Sequence, residues 1–354
     1  MRREFESKVQ KVRQFLAANA FDGILLSRRD SFAWLTGGKN AVYHATELGA
    51  CELFITKDKQ SILFSEVEKY RLVDEEIGGL DLEPISFDWY ADKGRSIKNA
   101  LSSGKIAGDC AAWGFPNVFE LFSKLRYTLL PEEVQRLKAL CADVALAVDE
   151  TCRTAAVDDS EFVVAATLTS KLLRRGIYAP VCMVAADERI KKYRHPIPTE
   201  RVIKKYALVV VGAQRHGLFA SMSRMISFGE PSEEIKTKHA ACMDIDAKMI
   251  AKTQIDTKVS DILRCGIDAY AQNGYANEWK YHHQGGATGY LPREYIATPT
   301  DIQTVLPNQA FSWNPTIAGT KCEDTVISSE NGPEILTAIK GWPMRGNRPD
   351  ILVR

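Results

Sequence analysis

The chain has 354 residues, 45% of them hydrophobic and 26% charged, with a net charge of +1. This composition suits a water-soluble globular protein of about two domains, and so balanced a charge gives no field for nucleic acid or acidic lipid. No window approaches the ~20 apolar residues of a membrane span, and the N-terminal MRREFESKVQKVRQFL lacks the apolar run of a signal peptide. None of the eight cysteines forms a CxxC pair, which argues against zinc ribbons and thioredoxin-type motifs and predicts reduced thiols in a cytoplasmic protein.

In chain order, Phe5, Val9, Val12, Phe15 and Leu16 recur at helical spacing and predict a helix over 4–19. A short buried strand follows at Gly23–Leu26. The run SFAWLTGG (31–38) sets aromatics before a Gly-Gly turn. Strands at 51–56 and 60–64 flank Lys57-Asp58-Lys59 as a hairpin, and a helix at 95–101 with a strand start at 105–108 continues the alternation. These elements predict a mixed α/β domain over residues 1–128 and a second domain over 129–354.

The second domain opens at Leu130-Pro131-Glu132-Glu133. Proline suits the first helical turn and the two acids favour its positive end. That helix is predicted to run to about Ala156, and another from Asp158 to Gly176, where basic residues precede a glycine stop. Strands are predicted at 181–185, 206–211 and 217–228. The run YALVVV is apolar throughout, which covers both faces of its sheet. Helices at 232–251 and 260–273 and strands at 310–313 and 325–328 complete the pattern.

The stretch YHHQGGATGYLPRE (281–294) concentrates the chemistry: two imidazoles, an amide, paired glycines and an Arg/Glu end. Gly285 and Gly286 permit close approach of the backbone to a ligand or another strand. Alternation on a strand would point one of His282 and His283 inward, with His282 assigned to the pocket and His283 left open. His195 precedes two prolines that stiffen its loop. An imidazole is the natural proton carrier near neutral pH, and the planar fork of Arg293 matches a carboxylate. His44, His216 and His239 carry no functional assignment, and Asp244/Asp246 suit a solvated helix face.

From Pro131 onward the order of parts resembles the pita-bread family of methionine aminopeptidase, prolidase, aminopeptidase P and creatinase. The parts are long helix, second helix, strand, His-x-x-Pro, apolar strand, two helices, His-x-x-Gly and a late Glu-Asp. The SFAWLTGG region resembles the extra N-terminal domain of the prolidase and creatinase branch. The resemblance implies an α/β (α+β) protein, with a mixed-sheet N-terminal domain and a curved, mainly antiparallel sheet flanked by helices in the C-terminal one. It also implies a homodimer.

Peptidases of that family hold two divalent metals with two Asp, one His and two Glu. On the matching positions this chain has Val210, Ser221, Gly286 and Asn314, and only Glu323 is kept. The resemblance therefore implies no metal and no other cofactor. It leaves His195 and Glu323 as catalytic, and His282, His283, Arg293 and Arg224 as substrate-binding. The site chemistry resembles creatinase most, which implies metal-independent hydrolysis or lysis of a C–N bond in a small carboxylate-bearing substrate, with His195 moving protons and Glu323 orienting it. Two alternatives stand beside it: an Xaa-Pro aminopeptidase or dipeptidase with a dinuclear metal, and a non-catalytic module that binds a peptide or protein.

Overall fold

A computed structural model describes residues 2–42, 45–101 and 104–354, so His44 lies outside the described residues. The chain divides into two compact units, Met1–Arg126 and Tyr127–Arg354.

The first unit contains α1 (Arg2–Ala18), β1 (Gly23–Arg28), α2 (Arg29–Thr36), β2 (Leu48–Thr56), β3 (Gln60–Ser65), β4 (Glu83–Phe87), α3 (Lys93–Ala100) and β5 (Ile106–Gly108). Its five strands form one mixed sheet in the order β4-β3-β2-β1-β5. The β2–β3 hairpin pairs antiparallel from Cys51↔Phe64 to Ile55↔Gln60, whereas β3–β4 and β1–β5 are parallel. The aromatic run before Gly37 is helix α2, closed by Gly37 in the left-handed region at φ 78°. β4 was not expected. It is a half-exposed edge strand containing Pro84, and proline in a sheet is confined to such edges.

The second unit contains α4 (Pro131–Thr154), α5 (Glu161–Leu173), β6 (Tyr178–Ala186), β7 (Tyr206–Arg215), β8 (Leu218–Ser227), α6 (Glu233–Lys252) and α7 (Val259–Gln272). After them come β9 (Gly285–Thr288), β10 (Tyr295–Ile296), β11 (Ala310–Trp313), β12 (Thr316–Ile317), β13 (Thr320–Lys321), β14 (Asp324–Ile327), β15 (Glu334–Ile335) and β16 (Leu352–Val353). One sheet runs β10-β9-β11-β14-β15 and another β16-β8-β7-β6. Both are antiparallel except for the β16–β8 pair. An isolated bridge, Ser223↔Glu323, and hydrogen bonds between Ser221 and Thr325 Oγ1 join them.

Helix α4 starts as its sequence dictates. The backbone N–H of Leu130 donates to Glu133 Oε2 at 2.8 Å, and Glu133 Oε1 accepts from Tyr290 Oη at 2.5 Å. The N-terminal acid thus both caps the helix and anchors the stretch that carries Arg293. Strand β7 is buried from Ala207 to Ala213, as the unbroken YALVVV run requires. On one face of its sheet, Ala185, Leu208 and Met225 are core together with Ile235 and Ile351. The next two rows on that face are Met183–Val210–Ser223 and Val181–Gly212–Ser221. There the packing gives way to a cavity.

Candidate active site

Four parts of the chain converge on this cavity, which has a volume of about 320 Å³. Strands β6 to β8 supply an apolar wall of Val181, Met183, Val210 and Val211, with Ser221 at its edge. The loop after α5 and β6 brings His195, and the 281–294 stretch brings His283, Pro292 and Arg293. Asn314, Lys321 and Glu323 close the far side.

The His195 loop is pinned at both ends. Arg194 Nη2 donates to Glu278 Oε2 at 2.6 Å. Between the prolines, Ile197 O accepts from Arg189 Nη2 at 2.7 Å, and beyond them the Thr199 N–H donates to Glu161 Oε2 at 2.9 Å. Strand β9 needs its two glycines because its neighbours crowd it. A Cβ on Gly285 would lie 2.1 Å from Ser312 O, and one on Gly286 would lie 2.2 Å from Tyr295 O. Close strand approach, rather than a ligand, explains the pair. Just before it, the Gln284 carbonyl accepts from the Asn314 N–H at 3.0 Å, and Gln284 Oε1 accepts from Tyr270 Oη at 2.7 Å. These bonds fix where His282 and His283 leave the strand.

The three imidazoles cluster. His282 Nε2 lies 3.0 Å from His195 Nε2, and the His282 and His283 rings stack with centroids 4.5 Å apart. His283 lines the cavity, while His282 stands behind it, buried at 8% exposure. Burial, with the nearby Lys321 charge next, lowers the pKa of His195 and takes His282 down to about 2. Burial and then Arg293 take His283 to about 4. All three rings are neutral at neutral pH.

Opposite them, Glu323 carries two cations. Arg293 Nη2 sits 3.0 Å from Oε1, and Lys321 Nζ sits 3.0 Å from Oε2. Burial opposes the carboxylate charge, but Lys321 and Arg293 outweigh it and hold its pKa below the usual range. Glu323 therefore spends both oxygens on cations and does not orient His195, which corrects the expected catalytic pairing. Lys321 was missed in the sequence. Its signal was its place two residues before Glu323, which puts both on one face of an extended strand.

Arg224, expected among the substrate-binding side chains, does not line the cavity. Its Nη2 donates to Asp324 Oδ1 at 2.8 Å and to Thr337 O at 3.0 Å, with 2% of the side chain exposed. Asp246, expected on a solvated face, is fully buried against Arg348, while Asp244 is half-exposed and bonded to Lys248 and Asn273. His239 is buried too, its Nδ1 2.6 Å from Thr320 Oγ1. Glu294 turns to the Tyr290 N–H and leaves Arg293 to Glu323.

The architecture is that of the pita-bread fold. The chain belongs to metallopeptidase family M24, which matches residues 133–330. It is 23% identical to the Xaa-Pro dipeptidase of Pyrococcus horikoshii, over 93% of this chain and 96% of that protein. It superposes on the crystal structure of the prolidase from Pyrococcus horikoshii with a TM-score of 0.81 and 18% identity, covering 94% of this chain and 99% of that one. The Xaa-Pro dipeptidase from Bacillus anthracis gives 0.81 and 17%, covering 99% and 100%.

These relatives overturn the expectation of metal-independent, creatinase-like C–N hydrolysis. A relative matching along nearly the whole chain is an Xaa-Pro dipeptidase, and the family is one of metallopeptidases. The metal pair that such a family implies nevertheless does not fit the donors here. Val210 and Gly286 offer none, and at Gly286 the space is closed by Tyr295 O. Ser221 and Asn314 offer neutral oxygens, and Glu323 is already ion-paired to Lys321 and Arg293. One neutralised carboxylate does not hold two divalent ions.

Proposed function

We propose that the chain is an M24-family hydrolase whose cavity takes a short peptide of the Xaa-Pro type, held by its free carboxylate. The observation that carries this reading is the pairing of a two-cation rim with an apolar wall in one cavity of about 320 Å³. Arg293 keeps its Nε buried and without a hydrogen-bond partner, so its guanidinium has a donor to spare for a carboxylate. Val181, Met183, Val210 and Pro292 offer a dry surface of the kind a pyrrolidine ring packs against. Asn314 Oδ1, buried and unpartnered, is an acceptor for a peptide N–H. The volume suits a dipeptide and excludes a folded chain. The names of the relatives supply the Xaa-Pro class.

The test is proline release from Ala-Pro and its C-terminal amide, with divalent metals supplied. Turnover of the acid and not of the amide is the expected result. Neither binding nor turnover of any Xaa-Pro peptide at millimolar concentration refutes it. The loss of family ligand positions favours a second reading, a pocket that binds such a peptide without cutting it, and saturable binding with no release would select that one. We further propose a cytosolic homodimer. All eight cysteines are free thiols, and among the described residues no helix is long and apolar enough to cross a membrane. Light scattering that returns a monomer at micromolar concentration would remove the dimer.

A further inference from the structure

We propose that His195, His282 and His283 form a mononuclear site for a nitrogen-preferring transition metal such as zinc(II), separate from the carboxylate positions of the family's metal pair. Each residue offers one ring nitrogen, and the three lie within 4.8 Å of one another. Nitrogens bound at about 2.0–2.1 Å to one tetrahedral ion stand roughly 3.3 Å apart. His195 Nε2 and His282 Nε2, at 3.0 Å, are already at that spacing, and the third ring closes by somewhat over an ångström. Nδ1 of both His282 and His283 is buried without a hydrogen-bond partner, and the bond from His282 Nε2 goes to His195, another member of the cluster. The rings are held by backbone and loop anchors instead: the Arg194–Glu278 pair and the Gln284 bonds. His283 opens on the cavity, which leaves room for water or substrate in a fourth position, as in catalytic zinc sites.

Charge decides which metal. Lys321 and Arg293 stand near the rings, and Glu323 cancels only one of them. Hard cations held by electrostatics, such as magnesium and calcium, are repelled, while zinc, cobalt, nickel and copper bind neutral imidazole by donor strength.

The experiment uses the full chain after dialysis against a chelator. Zinc(II) is titrated by calorimetry, and cobalt(II) by visible absorption. The expected result is one ion per chain, with the intense d–d bands of a four-coordinate nitrogen site, and no uptake of magnesium. His283→Ala should weaken binding by about 100-fold or more, and His195→Gln, at the exposed corner of the cluster, gives an independent second variant should the first disturb folding. No uptake, octahedral cobalt bands, or binding unchanged in both variants would overturn the site, the last by assigning the ion to cysteines. Uptake without hydrolysis of an Xaa-Pro peptide leaves this site standing and sinks the peptidase reading. Hydrolysis by a chain that takes up no metal does the reverse.

Discussion

Glu323 and Asp324 are neighbours in sequence and opposites in use. Each is a buried carboxylate held between two cations: Glu323 by Arg293 and Lys321, Asp324 by Arg224 and Arg348. Alternation along the chain sends one to each side. Glu323 faces the cavity of about 320 Å³. Asp324 faces packed core, where the adjoining void is only about 10 Å³, the space of a single water. The same charge pattern is therefore a binding site on one side and a structural clamp on the other. What separates them is room for a ligand, not residue type.

The largest expected effect breaks the clamp. Asp324→Asn leaves the buried Arg224 without its carboxylate partner and Arg348 with Asp246 alone, and should cost about 3–5 kcal/mol in a denaturant titration. Glu323→Gln should cost less, because Lys321 and Arg293 line the open cavity rather than packed core. Equal losses would erase the distinction between the two sides. Next comes Gly286→Ala, whose methyl would meet Tyr295 O at 2.2 Å. A loss of roughly 1–3 kcal/mol is expected from such overpacking, and a neutral result would show that β10 yields there.

Acid should act on the open side. In the folded chain His282 titrates at about 2 and His283 at about 4, against about 6.5 when unfolded. As pH falls below about 6.5 the unfolded chain takes up protons first, so stability is full above that value and declines towards about 4. His282 should contribute a slope of about 1.4 kcal/mol per pH unit. His239, held at about 4 by burial, adds to the same window. Stability that stays flat across that range would mean the rings are solvated. The smallest effect on stability is predicted for Arg293→Lys, which keeps a cation beside Glu323. Its mark should be a several-fold rise in KM for the peptide acid, because lysine keeps the charge and loses the fork. An unchanged KM would remove Arg293 from carboxylate binding.

Much of this protein was legible in its sequence because it depends on local order. Helical spacing, Pro131 and the unbroken YALVVV run predicted α4 and β7, and the order of parts predicted the pita-bread fold. Val210 and Gly286 already declared two missing donors, since a side chain with no lone pair cannot ligate in any fold, and Ser221 and Asn314 declared two positions that had kept an oxygen but lost its charge. Which cations meet which carboxylate was decided only in three dimensions. Arg293 reaches Glu323 across 30 residues and Arg224 reaches Asp324 across 100, so Arg224 became core and Lys321 became part of the site. His195 meets His282 across 87 residues, and no local pattern encodes that approach. Charge interactions follow distance and burial, and those are set by strand register and loop anchoring rather than by the spacing of residues along the chain.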